Sequence, residues 1–304
     1  MTGAPPAGDH GGDGARLAAA LGVPVDAVLD LSASLNPFAP DVAALVAAHA
    51  GAVGHYPDAG AATTALAGTI GVDPARVVLT NGGAEAIALV AAELPVGRVD
   101  APDFSLYARH LGAIAPDAPR WRSNPHNPTG RLAGPGERAA VWDEAFYPLA
   151  TGAWTRGDAG AWVVGSLTKT FACPGLRAGY LIAPDGASAA RVRARQPEWS
   201  VGSLVCASLP ELLAAADLPK WCAQIVDARE RLVSLLHRHG LRPDPSDANF
   251  VLVRHAPGLR DHLARRAVLV RDTGSFGIVG GARIAVPDDA GLERLSLALE
   301  GYAP

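Results

Sequence analysis

Residues 76–94 constrain the fold most: RVVLT (76–80) is a short β-branched run, NGGA (81–84) a glycine turn, and EAIALVAAEL (85–94) a long apolar helical stretch. A strand that stops at glycine and restarts as a helix is the core of a βαβ unit. Further short strand runs follow at GRVDAP (97–102), RWRSN (120–124), AAVWDE (139–144), AWVVGS (161–166) and LRAGYLIA (176–183). Strands alternating with helices predict an α/β fold with a largely parallel sheet. Ahead of this region, ARLAAALGV (15–23) has helical spacing, DLSASLNPFAP (30–40) is a short extended piece ending in a Pro-bounded turn, and PDVAALVAAHAGAV (40–53) reads as a helix. After residue 200 the pattern changes. Residues 210–240 show one helical periodicity ending at Gly240, a C-cap residue. ANFVLVRH (248–255), a helix-like DHLARRAV (261–268), LVRD (269–272), ARIAVP (282–287) and a last helix over 288–300 then suggest a smaller α+β domain. The expected division is an N-terminal segment, 1–39, packing with the small domain, a large domain over 40–195 and the small domain over 196–304. Residues 1–14, rich in Gly and Pro, read as mobile.

Composition excludes several classes. A chain of 304 residues with 49% hydrophobic content can bury a sizeable core. A net charge of −4 without a basic run argues against nucleic acid as a partner. Three irregularly spaced cysteines, Cys173, Cys206 and Cys222, give no disulfide framework and point to a reducing compartment. No basic stretch followed by an apolar one opens the chain, and no apolar run approaches the ~20 residues that span a bilayer. A soluble, cytoplasmic protein with no membrane partner is the expectation. His10, His55 and the histidines of HRH (237–239) have no metal-ligand spacing, so no metal is expected.

Four short stretches could carry chemistry. NGGAE (81–85) opens a helix after a strand, which suits either a phosphate at the helix N–H groups or simply a tight βα turn. NPHNPTG (124–130) is turn-prone throughout, yet follows a strand, where open α/β sheets bind ligands; Asn127 could present its amide to a polar ring substituent. WDEAF (142–146) puts two acids at the end of an apolar strand, either solvated or paired with a buried cationic nitrogen. SLTKTF (166–171) holds one of the two lysines in the chain, Lys169; the rest of the 26 basic residues are arginine. Lys169 follows a strand, is flanked by Ser166, Thr168 and Thr170, and precedes Arg177 by eight residues. It is either a snorkelling surface charge or an amine held near another cation and so made nucleophilic, a role the permanently protonated guanidinium cannot fill.

The order of these pieces is more specific than any one of them. A glycine turn opening a helix, an aromatic after a strand (PDFSLY), NPHNPTG, WDEAF, then SLTK with Arg eight residues on resembles the fold-type I pyridoxal-phosphate enzymes. Within these the chain is similar to the histidinol-phosphate aminotransferase branch, over roughly residues 10–290. The resemblance implies the fold-type I transferase architecture: a large domain with a mostly parallel sheet plus a smaller α+β domain. It implies pyridoxal 5'-phosphate as cofactor and a role for each residue. Lys169 carries the cofactor aldehyde covalently. Asp143 pairs with the pyridinium nitrogen, Asn127 hydrogen-bonds the ring's phenolic oxygen, and Phe104 stacks on the ring. The backbone at Gly83 and Ala84, with Ser166, Thr168 and Arg177, holds the phosphate. Tyr56 reaches the phosphate of a neighbouring subunit, which implies a homodimer. Arg283 takes the substrate carboxylate through a bidentate contact.

HGGD near the start, LDLSASLNP, DEAF and SLTKTFACPGLRAGYLIA look like the threonine-phosphate decarboxylases of cobalamin biosynthesis. Those act on a small phosphorylated amino acid, L-threonine O-3-phosphate, and give (R)-1-aminopropan-2-yl phosphate. Aminotransferase relatives commonly carry Tyr where this chain has Phe146. His10, Ser34, Asn36 and Arg271 are further candidates near the substrate. An aminotransferase on histidinol phosphate or a related phosphorylated amine is the second expectation, and a pathway-associated binding or scaffold protein without turnover the third. The chain departs from the family in two trimmed crossover connections, between the stacking aromatic and NPHNPTG and between NPHNPTG and the DEAF strand. The apolar sheet face normally covered there is expected to be covered by another protein or by a rearranged dimer.

Overall fold

The structure is a computed structural model and describes residues 5–303. The first four residues of the Gly/Pro-rich N-terminal segment lie outside the described residues. The strands, in chain order, are β1 (Leu29–Leu31), β2 (Val77–Asn81), β3 (Val96–Val99), β4 (Ala113–Ile114), β5 (Arg120–Ser123), β6 (Val141–Asp143), β7 (Trp162–Ser166), β8 (Ala178–Ile182), β9 (Phe250–Val253), β10 (Val268–Asp272) and β11 (Ala282–Ala285). They belong to two compact units. The large unit comprises residues 39–124 and 133–222; the small unit comprises 125–132, 223 onward and the N-terminal residues through Phe38.

The large unit is built on a seven-stranded sheet in the order β2-β8-β7-β6-β5-β3-β4. Neighbours from β4 to β7 pair in parallel, while β8 runs antiparallel to both β2 and β7. The reversal has a local cause, since only residues 167–177 join β7 to β8, too few for a crossover. β6 and β8 are buried along their whole length, which is why they read as continuous apolar runs rather than alternating ones. The register sets Ser123 beside Asp143 and Asp143 beside Val164, so β5 and β6 end level with one another and β7 runs two residues further, to Ser166. The helix Gly82–Glu93 lies against β7 and β8 and buries Ala86, Ile87, Leu89 and Val90.

Residues 196–222, which the sequence reading places in the small domain, sit in the large unit. The single periodicity over 210–240 conceals a break after Ala214. The helix Ser203–Ala214 packs on the helix Gly60–Ile70, and a second helix, Leu218–Arg238, carries the chain onward. The small unit is a four-stranded sheet, β1-β10-β11-β9, with β1 parallel to β10 and the other pairs antiparallel. Its core gathers Leu232, Leu235 and Leu236 of the long helix with Val251 and Ile284 of the sheet. The described N-terminal residues are held by side chains rather than loose: Arg260 donates to the Pro5 carbonyl at 2.8 Å and Arg271 to the Asp9 carbonyl at 2.6 Å.

The trimmed connections do not leave an apolar face for a partner to cover. Trp121 and Trp142 on β5 and β6 are 1% and 0% exposed within the chain itself. Between residues 105 and 140, Ile114 is the one large exposed hydrophobic among the described residues. The six-residue helix Ser105–His110 supplies Tyr107, whose ring lies 5.8 Å from that of Trp121. The loop after Thr151 supplies Arg156, whose guanidinium sits 4.8 Å over the Trp142 ring. That guanidinium also donates to the carbonyls of Gly134, Pro135 and Glu137, clasping the short connection between NPHNPTG and the DEAF strand. Among the described residues no helix is long and apolar enough to cross a membrane.

Candidate active site

In the large unit, β7 ends at Ser166 and a four-residue helix, Leu167–Thr170, follows it. This helix presents Lys169 half-buried, with Nζ 5.9 Å from the ring centroid of Phe146. Thr168, buried on the same turn, donates its hydroxyl to the Ala178 carbonyl at 3.3 Å. β2 ends at Asn81, and the twelve-residue helix Gly82–Glu93 begins with Gly82 at φ +74°. A Cβ on Gly82 would run into the Arg177 guanidinium, and one on Gly179 would stand 2.6 Å from the Gly83 nitrogen. A Cβ on Gly83 would lie 3.5 Å from the Ser166 Cβ. The close packing of Gly82, Gly83 and Gly179 therefore brings Arg177 and Ser166 up to the first N–H groups of the helix, with Ala84 on its first turn. Positive dipole end, guanidinium and hydroxyl together make an anion cradle.

Asp143, at the end of β6, is 8% exposed. Its Oδ2 accepts from the Tyr107 hydroxyl at 2.8 Å and its Oδ1 from the Ala145 N–H at 3.0 Å. Burial pushes its pKa up to about 6, against the stabilising hydrogen bonds from Tyr107 and Ala145, while Asp103 adds to the rise and Lys169 opposes it. A carboxylate so buried is stabilised by a cation brought next to it. Phe104 caps the helix Ser105–His110 and meets Tyr107 edge-on at 5.8 Å. Three residues here escaped the sequence reading. Tyr107 carries the hydrogen bond to Asp143. Asp103 is a second buried acid, also pushed up to about 6 by burial. Ser123 donates to Asp103 from its hydroxyl at 2.5 Å and from its N–H at 3.2 Å. The signal for Tyr107 was in PDFSLY: at helical spacing, Phe104 and the residue three further on share a face.

The small unit holds the second set. Arg271 and Arg283 are directly paired across β10 and β11, and each is 4% exposed. Arg283 donates to Asn127 Oδ1 at 2.6 Å and to the Ser32 carbonyl at 3.2 Å, with its guanidinium 4.7 Å over the Phe250 ring. Arg271 donates to the Asp9 carbonyl and to Ser275 Oγ, 5.0 Å over Phe276. Burial, with the neighbouring Arg271 charge, brings Arg283 down to about 9. Burial likewise brings Arg271 down to about 10. Both stay protonated at neutral pH, so the pair is a concentrated positive field. Ser34 is fully buried in the left-handed region at φ 51°, its carbonyl accepting from Asn249 at 2.8 Å. The Ser34 hydroxyl has no hydrogen-bond partner among the described residues. Asn36, 2% exposed, folds its Oδ1 back onto the Phe38 N–H at 3.0 Å, and His10 is half-buried in the N-terminal segment. Tyr56, in the large unit, is 80% exposed, its ring 4.7 Å from that of Trp199.

The large-unit set fits the cofactor that the sequence resemblance implies. The anion cradle matches its phosphate, the buried Asp143 its ring nitrogen, and Lys169 its aldehyde. Thr168 is the weakest member, because its hydroxyl proton already points at Ala178.

Comparison with known proteins bears on both sets. The family model described as "Aminotransferase class I and II" matches residues 121–299. Histidinol-phosphate aminotransferase 1 of Dechloromonas aromatica is 31% identical over 213 residues, 62% of this chain and 58% of that protein. Threonine-phosphate decarboxylase of Salmonella typhimurium is 30% identical over 226 residues, 64% of this chain and 61% of that protein. The chain thus spans about three fifths of the length of these relatives. In fold, the chain is similar to the crystal structure of histidinol-phosphate aminotransferase from Sinorhizobium meliloti in complex with pyridoxal-5'-phosphate. The TM-score is 0.79 at 20% identity, covering 94% of this chain and 93% of that one.

Proposed function

Because the chain belongs to the aminotransferase class I and II family of fold-type I pyridoxal-phosphate enzymes, we propose that it decarboxylates L-threonine O-3-phosphate to (R)-1-aminopropan-2-yl phosphate, a step of cobalamin biosynthesis. Its cofactor is pyridoxal 5'-phosphate. When bound, that group supplies an electron sink for the charge left at the substrate's Cα.

The observation that carries the choice of substrate is the buried Arg271–Arg283 pair. Two guanidiniums side by side repel each other and are each desolvated, and a ligand with two anionic groups relieves both costs. Threonine phosphate has a carboxylate and a phosphate; histidinol phosphate has the phosphate alone. In this reading Arg283 takes the carboxylate through its planar fork. Arg271, with His10, Ser34 and Asn36, takes the phosphate, the buried Ser34 hydroxyl donating to one of its oxygens. Lys169 would hold the cofactor's aldehyde, and its amine, once free, would return a proton to the substrate's Cα at the position that CO2 vacates. Asp143 would keep the ring nitrogen protonated, Asn127 would hydrogen-bond the phenolic oxygen, and Phe104 would stack on the ring. Gly83, Ala84, Ser166, Thr168 and Arg177 anchor the cofactor phosphate. Fixing the substrate at carboxylate, phosphate and amine sets which Cα bond stands perpendicular to the ring, and so which bond breaks.

A homodimer belongs to the same proposal. Tyr56 is exposed as a residue serving a neighbouring subunit must be, and an apolar groove of about 550 Å³ lined by Val42, Val46, Val53, Leu176 and Leu204 offers a surface for a second copy. An aminotransferase on histidinol phosphate is the second reading, favoured by the curated relative from Dechloromonas aromatica. A scaffold without turnover has less support, because it needs neither the lysine nor the arginine pair.

The deciding experiment incubates the protein with cofactor and threonine phosphate and follows CO2 and the phosphorylated aminopropanol. Product without a 2-oxo acid supports the decarboxylase. No product, with amino-group transfer from histidinol phosphate to 2-oxoglutarate, establishes the aminotransferase instead.

A further inference from the structure

Asp143 at the end of β6 and Asp103, hydrogen-bonded to Ser123 at the end of β5, are two buried carboxylates of which the roles above use only Asp143. Asp143 is the partner of the cofactor's ring nitrogen. Asp103, 9% exposed, has no role in holding cofactor or substrate. It precedes Phe104 and accepts three hydrogen bonds: from the Ser123 hydroxyl at 2.5 Å, the Ser123 N–H at 3.2 Å and the Phe104 N–H at 2.7 Å. Ser123 is the residue paired with Asp143 across the parallel β5–β6 register. The Tyr107 hydroxyl in turn donates to Asp143 Oδ2 at 2.8 Å. The result is two buried hydrogen-bonded pairs within the large unit, Ser123–Asp103 and Tyr107–Asp143, set side by side by the β5–β6 register.

We propose that Asp103 and Tyr107 are positioning residues for the cofactor's ring nitrogen: Tyr107 orients Asp143, and Asp103 sets a second negative charge behind it. Tyr107 fixes one carboxylate oxygen by its hydroxyl, and the Ala145 N–H fixes the other. Asp143 therefore keeps a single orientation before the cofactor arrives. Asp103 acts through its charge. The two acids are close enough to repel: Asp103 raises the pKa of Asp143, and both raise that of Tyr107. Two carboxylates in a low-dielectric site attract a ring cation more strongly than one. The other charged groups facing the pair are Lys169, which acts on Asp143, and Arg122, which acts on Asp103. Arg122 is itself ion-paired with Glu137 at 2.9 Å, which blunts its pull on Asp103.

The inference rests on the assignment of Asp143 to the ring nitrogen, and one set of binding measurements separates the two. Apoprotein is titrated with pyridoxal 5'-phosphate and with its analogue bearing C–H in place of the ring nitrogen, at about pH 8 where carboxylates are ionised. Asp103→Asn and Tyr107→Phe should each weaken the natural cofactor about tenfold or more, the scale on which residues behind a primary partner act. Each should leave the Kd of the carbon analogue within about twofold, since that ring has no nitrogen for Asp143 to serve. Equal weakening of both compounds reveals a packing role, and no change in either reveals no role; both results overturn the proposal. Asp143→Asn is the control: if it fails to discriminate between the two compounds, the underlying assignment falls. Should Asp103→Asn not fold, Asp103→Ser replaces it. Tyr107→Phe, which removes a single hydroxyl, tests the proposal independently of either Asp103 variant.

Discussion

At the scale of single residues, the lysine was legible and its surroundings only partly so. Rarity first marks Lys169, but position carries the argument: the end of β7, with Arg177 eight residues on. Phe146, singled out in the sequence for lacking a hydroxyl, stands beside Lys169. Its ring lies 5.9 Å from the lysine Nζ and offers no hydroxyl there. Phe146→Tyr adds a donor for the phenolic oxygen of the bound cofactor. A donor favours the ionised form of that oxygen, so the nearby proton on the lysine linkage leaves more readily. The pH midpoint of the visible absorption change should fall by about one to two pKa units, the worth of one hydrogen bond to a charged group. An unchanged or raised midpoint counts against the placement of Phe146. Tyr107 and Asp103 were less legible because their partners, Asp143 and Ser123, lie 36 and 20 residues away in the chain. Only the strand register makes them neighbours.

At the scale of elements, strands and principal helices were readable because period and turn chemistry are local. How the short connections are covered was not. The sequence shows only a short connection, without helical periodicity, before the DEAF strand, and from that alone an exposed apolar face follows. The structure covers it with Arg156, from a loop whose composition carries no periodic signal. A planar guanidinium stacks on Trp142, ion-pairs with Asp158 at 3.0 Å and reaches three carbonyls of the trimmed connection. Arg156→Ala should destabilise the protein by about 2–3 kcal/mol, from the lost cation–π contact and the carbonyls left without a donor. Arg156→Lys should recover little, since an ammonium cannot stack on the indole and reach the carbonyls together. Urea unfolding checks this: the midpoint of Arg156→Ala should drop with the slope unchanged. A midpoint within error of the parent protein would show that the clasp contributes nothing.

At the scale of the whole molecule, the buried acids give the apoprotein an unusual pH profile. Asp103 and Asp143 are each pushed up to about 6, chiefly by burial. Glu144 is 0% exposed and pushed up to about 7, by burial first and by the Asp158 charge, although the Arg156 N–H bonds both of its oxygens. In the unfolded chain such carboxyls titrate near ~4. Between that value and the folded ones, the folded protein binds more protons than the unfolded chain, so stability falls as pH rises through this window and levels off above ~7. Carboxylates held below their ordinary range, such as Glu137, which Arg122 and Arg120 stabilise, act in the opposite sense, but only at pH below ~4. His110 and His262, lowered chiefly by burial, act in the opposite sense below ~6.5 but are far less buried than the three acids. The acids therefore dominate, and the Tm of the apoprotein should decline from about pH 5 to about pH 7. Glu144→Gln keeps the acceptor for Arg156 and removes the charge, so it should raise Tm at about pH 8 and leave it nearly unchanged at about pH 5. Adding pyridoxal 5'-phosphate should recover part of the alkaline loss, because the ring cation stabilises ionised Asp143, and the gain should shrink in Asp143→Asn. A Tm that is flat or rises across the window would mean that these acids are better solvated than their burial implies, and the electrostatic case for a cation beside Asp143 would lose its footing.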